Sequence, residues 1–236
     1  HLEGPYFSPK FAGAQDPRYL RAPKPDEYME ILDRCPDLAR WSFAPELDGA
    51  PEFAAELNRR GIVASIGHTD ATFADCDAAF KAGATMMTHF YSCMSTISRR
   101  NAYRYAGTIE YGYWQDGMRI EIIADGIHVP PVMLRVVYMI KGVERTALIT
   151  DSLACAASDG DIAFDPRVIL EDGVCKLADH SALAGSIATM DRLIRTCVQK
   201  AKIPMEDACR MASETPAKIM GVFDRKGSLE DGKDAD

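Results

Sequence analysis

The chain has 236 residues, 47% of them hydrophobic and 26% charged, with a formal net charge of −8. That length can bury a real core as one large α/β domain or two small ones, and the negative balance argues against a general binder of nucleic acid or anionic membrane. No apolar run approaches the ~20 residues of a membrane span, and no n-region with an h-region marks a secretory leader.

In chain order, "HLEGPYF" comes first and sets His1 and Glu3 two residues apart, ahead of the turn pair Gly4-Pro5. From Ala39 to Asp151 short apolar runs end in polar residues, and amphipathic segments follow most of them. "RWSFAPE" ends at Glu46 and is followed by helical "APEFAAELNRRG" with its stop at Gly61. "GIVASIGH" ends at His68, and Thr69 or Asp70 is expected to cap the helix "ATFADCDAAFKAG". "ATMMTHFY" carries His89, and "RIEIIADGIH" ends near Asp125 and His128. "PPVMLRVVYMIKG" has Pro at its start and Gly at its end, the expected helix punctuation, and "TALITD" ends at Asp151. Apolar runs alternating with helices imply βαβ units and a parallel sheet.

Beyond Asp151 the pattern changes. "VILEDGVCKL" is two alternating runs around Asp172-Gly173, a predicted hairpin. "IATMDRLIRTCVQKA" and "PMEDACRMAS" read as consecutive helices, the second started by Pro204. The tail "GSLEDGKDAD" is turn-rich. The seven cysteines, odd in number and with no CxxC, read as reduced thiols of a cytoplasmic protein, not a disulfide frame or a cysteine zinc site.

In a (β/α)8 barrel, functional residues stand at the C-terminal ends of strands around one mouth. Glu3, His68, His89, His128 and Asp151 each fall at or just beyond the end of a predicted strand or apolar run. One carboxylate and two imidazoles suit a divalent metal. A second carboxylate suits proton transfer.

The words around these residues go further. "HLEGP", "APE", "GHTDAT", "THFYSCM", "ADGIHV", "ITDS" and "LAGS" occur in one order. Together they resemble the N-acetylglucosamine-6-phosphate deacetylases of the amidohydrolase superfamily, and the resemblance covers the whole chain. It implies an α/β fold, a partial (β/α)8 TIM-type barrel with roughly strands 3–8 present over residues 1–224. Residues 225–236 would then begin the C-terminal segment of a small β-sandwich domain. In such enzymes "HLEGP" closes the third barrel strand, so the chain is expected to be a piece lacking the first two. Any second-metal motif would lie on the first strand, and a second metal is left open.

By resemblance, Glu3, His68 and His89 bind one divalent ion, zinc first, with iron, manganese or cobalt as alternatives. Asp151 resembles the catalytic aspartate, which takes a proton from the attacking water and delivers it to the leaving amine. His128 looks like a substrate contact, with Asp125 and Gly126 shaping its turn. Arg100 matches the arginine that reaches the substrate phosphate from a neighbouring subunit, implying a homodimer. Leu183, Ala184 and Gly185 would offer backbone contacts to the sugar. Ala14 and Gln15 would lie near the scissile carbonyl, and Ser92 and Cys93 near the sugar phosphate.

Two departures stand out. The usual family word after the second histidine is "LYNAM", and here Ser92 and Cys93 replace Asn and Ala. Many relatives carry His where this chain has Gln15, which donates a hydrogen bond but no positive charge. The segment from Ser95 to Tyr105 also runs slightly long. The resemblance implies hydrolysis of N-acetylglucosamine 6-phosphate to glucosamine 6-phosphate and acetate. Two alternatives are the same chemistry on N-acetylgalactosamine 6-phosphate and a non-catalytic partial-barrel remnant.

Overall fold

Strand β2 (Arg40–Phe43) is buried at every position, which explains why its sequence, RWSF, is rich in bulky β-formers. The computed structural model describes residues 1–156 and 165–234, and the chain packs as two compact units, His1–Ile120 and Glu121–Asp236.

In the first unit the elements are β1 (Leu2–Glu3), α1 (Pro25–Arg34), β2, α2 (Ala50–Arg59), β3 (Val63–Ile66), α3 (Phe73–Lys81), β4 (Met86–Met87), β5 (Ser98–Arg100), β6 (Tyr103–Tyr105), α4 (Thr108–Trp114) and the start of β7 (Arg119–Ile123). Strands β1, β2, β3 and β4 pair side by side, all parallel, and the first residues of β7 pair parallel with β4. Glu3 stands opposite Ser42, and Phe43 opposite Ile66. An aromatic cluster anchors this sheet. Phe53 of α2 meets Trp41 edge-on at 5.0 Å, Phe43 at 5.4 Å and Tyr6 at 5.2 Å, and Tyr6 stacks on Trp41 at 5.5 Å. The polar members of the strands satisfy one another. The Thr88 hydroxyl lies 2.8 Å from Ser42 Oγ and 2.7 Å from Ser65 Oγ, and accepts a bond from Arg40 at 3.0 Å. Buried hydroxyls without such partners would each cost on the order of 1–3 kcal/mol.

Helix α3 corrects one sequence expectation. Its cap is Thr72, not Thr69 or Asp70. Thr72 Oγ1 accepts from the Asp75 amide at 3.4 Å while the Asp75 carboxylate accepts from the Thr72 amide at 2.8 Å, a reciprocal capping box. The Thr69 hydroxyl is committed elsewhere, to Glu46, and the Asp70 carboxylate to Lys10. The slightly long segment after Ser95 contains the antiparallel hairpin β5–β6.

The second unit contains the rest of β7, then α5 (Pro131–Lys141), β8 (Thr146–Ile149), β9 (Val168–Glu171), β10 (Val174–Leu177), α6 (Met190–Gln199), α7 (Met205–Ala212) and α8 (Glu214–Ile219). Strands β7 and β8 are hydrogen-bonded neighbours. Helix α5 begins at Pro131 and ends at Lys141, with Gly142 as the cap that follows, as its sequence punctuation requires. Leu134 and Val137 of α5, Leu193 and Cys197 of α6, and Met211 of α7 are all buried. Tyr138 donates to Asp207 at 2.6 Å, tying α5 to α7. Strands β9 and β10 form the predicted hairpin, with Asp172 and Gly173 both at positive φ, the requirement of a two-residue turn of this hand. Helix α8 follows α7 after a single residue, Ser213, and the sequence pattern does not separate the two. The tail to Asp234 is turn-rich, and its last two residues lie outside the described residues. Among the described residues, no helix is long and apolar enough to cross a membrane.

Candidate functional site

Three strand ends bring a carboxylate and two imidazoles to one point. Glu3 closes β1, where the Gly4 amide donates to the Ser42 carbonyl at 3.2 Å and Trp41 Nε1 donates to the Gly4 carbonyl at 2.9 Å. His68 and His89 each follow a parallel strand by two residues, and both hold left-handed backbones, φ 49 and φ 29. Such values are uncommon for residues with a side chain and concentrate at functional sites. The His68 ring stacks on Phe7 at 4.3 Å.

The nitrogen roles at His68 follow from its partners. Nδ1 lies 2.9 Å from the Phe11 carbonyl. A carbonyl can only accept, so Nδ1 carries the proton and Nε2 is left to face the site. His68 Nε2 is 3.0 Å from Glu3 Oε1 and 3.0 Å from His89 Nε2, and His89 Nε2 is 3.2 Å from Glu3 Oε1. Both imidazoles are buried, while the Glu3 side chain keeps 26% of its surface exposed.

The convergence shifts the titration of Glu3 and His68. Burial would raise the Glu3 carboxyl, but hydrogen bonds and charge from His68 and His89 hold it well below the usual carboxylate range. Burial would lower the His68 imidazole, but hydrogen bonding with Cys93 and Glu3 pushes it up to about 10. Both shifts mark a position that favours positive charge, carried by a proton on His68 or by a cation in its place. The 3.0–3.2 Å spacing of the three facing side-chain atoms is close to the ~3.3 Å edge of a tetrahedron built from bonds of ~2.0–2.1 Å. A carboxylate and two imidazoles at this spacing fit a divalent metal.

The other candidates are arranged as follows. Gly13, just before Ala14 and Gln15, is at φ 59, and a Cβ there would lie 2.8 Å from Cys93 Sγ and 3.2 Å from the His68 ring. The chain therefore passes against both Cys93 and His68 at Gly13, on its way into Ala14 and Gln15. Cys93 is itself left-handed at φ 52, and the Ser92 amide donates to the His89 carbonyl at 2.9 Å. Arg100 lies on the exposed hairpin β5–β6, its guanidinium 5.7 Å from the Tyr105 ring.

In the second unit, Asp125 Oδ1 accepts from the amides of Ile127 and His128 at 2.8 and 2.9 Å, and Oδ2 is 2.8 Å from His128 Nδ1. Gly126 makes the turn at φ 80. Asp125 therefore fixes the His128 ring as well as shaping its loop. Asp151 is left-handed at φ 48, and its carbonyl accepts from the Ser186 amide at 2.8 Å. A Cβ on Gly185 would meet Leu153 at 3.0 Å and the Asp151 carbonyl at 3.1 Å, so the Leu183–Gly185 segment packs directly on the Asp151 loop.

Sequence reasoning missed Glu46, the Phe11 carbonyl and Thr88. Glu46 stood in "APE" and Thr88 in "THFYSCM", whereas the Phe11 carbonyl left no sign.

A parallel-sheet α/β fold with a carboxylate and two imidazoles converging at its strand ends defines a class of protein with a candidate metal site there. The chain belongs to the amidohydrolase family, whose model matches residues 24–236, and that family is metal-dependent. It is 38% identical over 238 residues to an N-acetylglucosamine-6-phosphate deacetylase of Bacillus subtilis, covering 100% of this chain and 59% of that protein. An N-acetylgalactosamine-6-phosphate deacetylase of Escherichia coli O157:H7 is 32% identical over 238 residues, 100% of this chain and 62% of that protein. Among solved structures, an N-acetyl-D-glucosamine-6-phosphate deacetylase variant from Mycobacterium smegmatis, in complex with N-acetyl-D-glucosamine-6-phosphate, superposes with a TM-score of 0.91 at 35% identity. That match covers 100% of this chain and 62% of that one. The chain thus spans about 60% of the length of these relatives.

Proposed function

We propose that this chain is the catalytic part of a metal-dependent hydrolase that converts N-acetylglucosamine 6-phosphate to glucosamine 6-phosphate and acetate. The observation that carries the reading is the Glu3, His68 and His89 cluster at strand ends, on a fold shared with a relative that binds that sugar phosphate. Zinc is the proposed ion, since two imidazoles and a carboxylate match its preferences, with iron, manganese or cobalt as alternatives. When bound, such an ion supplies Lewis acidity, lowering a water's pKa from 15.7 toward ~7 and polarising a carbonyl.

The chain's own residues do the rest. Glu3, His68 and His89 hold the ion, and the Phe11 carbonyl keeps His68 in the ligating tautomer. Asp151 takes a proton from the attacking water and returns it to the nitrogen as the amide C–N bond breaks. His128, oriented by Asp125, contacts the substrate, together with Ala14, Gln15, Ser92, Cys93 and the backbone of Leu183, Ala184 and Gly185. Arg100 serves the phosphate of a partner chain's substrate through its bidentate fork, so the working unit is a homodimer. The cytoplasm, where thiols stay reduced, is the proposed compartment, in keeping with seven free cysteines. Residues 1–224 form the proposed barrel portion, and 225–236 start the second domain.

N-acetylgalactosamine 6-phosphate is the second reading, favoured by Ser92 and Cys93 and by the Escherichia coli relative. The test is release of free amine from both sugar phosphates, and from unphosphorylated N-acetylglucosamine, by metal-loaded protein. Turnover of the gluco substrate well above the galacto epimer is expected. The reverse order would establish the second reading, and no turnover of any would favour the remnant.

Metal content provides a separate check. About one zinc-class ion per chain is expected after dialysis, and His89→Ala should lose it. Equal content in both proteins would remove the ligand assignment.

A further inference from the structure

We infer that Glu46 is a positioning residue for the metal centre, holding His68 in its ligating pose through the two residues that follow it. This rests on the reading of Glu3, His68 and His89 as the metal ligands. His68 needs an external restraint because its backbone is left-handed, and a residue with a Cβ occupies that region only when its surroundings over-determine it.

The segment after His68 is clamped from two sides. On one side, the Thr69 amide donates to the Cys93 carbonyl and the Ser95 amide to the Thr69 carbonyl, both at 3.0 Å. On the other stands the Glu46 carboxylate. Its Oε2 accepts the Thr69 hydroxyl at 2.5 Å and its Oε1 accepts the Asp70 amide at 2.7 Å. Thr69 Oγ1 accepts in turn from the Ala71 amide at 2.9 Å. The Ser8 side chain also bonds Glu46, and the Ser8 amide donates to the His68 carbonyl at 3.0 Å.

Every one of these Glu46 partners belongs to a segment touching His68. Burial pushes the Glu46 carboxyl up, and no ion pair offsets that cost among the described residues. A carboxylate kept there accepts two short bonds at once, stronger than those of a neutral acceptor. The expense makes sense if it fixes the rotation and height of the ring that follows from the Thr69 backbone. Partners that orient a ligand in this way typically govern 10–100-fold of metal affinity.

The test uses the full chain as wild type, Glu46→Ala, Glu46→Gln, Thr69→Val and, as a control, His89→Ala. Zn2+ affinity is read by competition with a chromophoric chelator, coordination geometry by the visible spectrum of the Co2+ form, and stability by melting without metal. Glu46→Ala and Thr69→Val are expected to weaken Zn2+ binding about 10- to 100-fold and to shift the Co2+ bands. Glu46→Gln keeps an acceptor for the Asp70 amide and is expected to fall between. Wild-type affinity and an unchanged Co2+ spectrum in Thr69→Val and Glu46→Ala, with only a lower melting temperature, would overturn the inference. If Glu46→Ala does not fold, Thr69→Val decides alone. His89→Ala separates the two readings, because full affinity in that variant removes the metal site itself. Loss there with no change at Glu46 and Thr69 removes only the role given to Glu46.

Discussion

Asp151 shows what a single position demands. It follows the end of β8 by two residues and holds φ 48, a region where Asn and Asp are among the best tolerated residues with a side chain. Asp151→Asn therefore keeps the backbone and the Ser186 contact while removing the ability to take a proton. Turnover is expected to fall by at least ~10²-fold with metal content unchanged, measured by amine release and elemental analysis. Unchanged turnover would make Asp151 a structural residue. Asp125 carries the pH dependence at this scale. Burial alone would raise its carboxyl, but bonds from His128 and from the Ile127 and His128 amides hold it below its ordinary value. Because the folded value lies below the unfolded one, its contribution is full above the unfolded pKa of ~3.9. It is lost as pH falls through the folded value. Urea unfolding from pH 6 downward should show a shallower acid loss in Asp125→Asn than in wild type, and parallel curves would refute the assignment. The cluster of Glu3, His68 and His89 was legible from motifs at strand ends. Their backbones were not, because His68, His89, Cys93 and Asp151 are left-handed with no glycine to announce it.

At the level of elements, legibility followed local chemistry. Helix α5 with its Pro and Gly punctuation, and the β9–β10 turn at Asp172-Gly173, are specified by residues inside them. The cap of α3 was misplaced because Thr69, Asp70 and Thr72 are all competent caps. The choice among them is made by distant partners, Glu46 for the Thr69 hydroxyl and Lys10 for the Asp70 carboxylate. Short β1 and β4, two residues each, leave too little periodicity to read, and their existence depends on pairing with β2 and β3. Helix α4 makes the same point through packing. Gly112 lies inside it, an unfavourable helix residue by propensity, yet a Cβ there would meet Phe90 Cε2 at 2.5 Å and Met87 Sδ at 2.7 Å. The glycine is required by the close approach of α4 to the β4 strand end that carries His89. Gly112→Ala is expected to destabilise by about 1–3 kcal/mol through overpacking, despite alanine's better helix propensity. A stabilised variant in denaturant titration would show that the helix can move aside freely.

At the scale of the whole molecule, the question is whether one chain completes its own site. The hairpin β5–β6 projects Arg99, Arg100 and Arg104 beside exposed Tyr103 and Tyr105, a concentration of positive charge on a chain whose net charge is −8. A permanently charged, planar donor on such a hairpin suits a phosphate, and the proposed recipient is the substrate of a partner chain. Losing a charge-assisted bond of this kind costs about 1.5–3 kcal/mol. Arg100→Ala should thus raise KM for the phosphorylated sugar roughly ten- to a hundred-fold and leave the weak activity on the unphosphorylated sugar nearly unchanged. Subunit mixing then distinguishes service across an interface from service within one chain. In a dimer of one Arg100→Ala and one Asp151→Asn chain, one site regains Asp151 from the first chain and Arg100 from the second, while the other lacks both. Random exchange makes half the dimers hybrid, so about a quarter of wild-type activity is expected at low substrate. If chains exchange, shown by a mass tag, and activity stays at the sum of the separate variants, Arg100 acts within its own chain. The homodimer would then lose its functional basis.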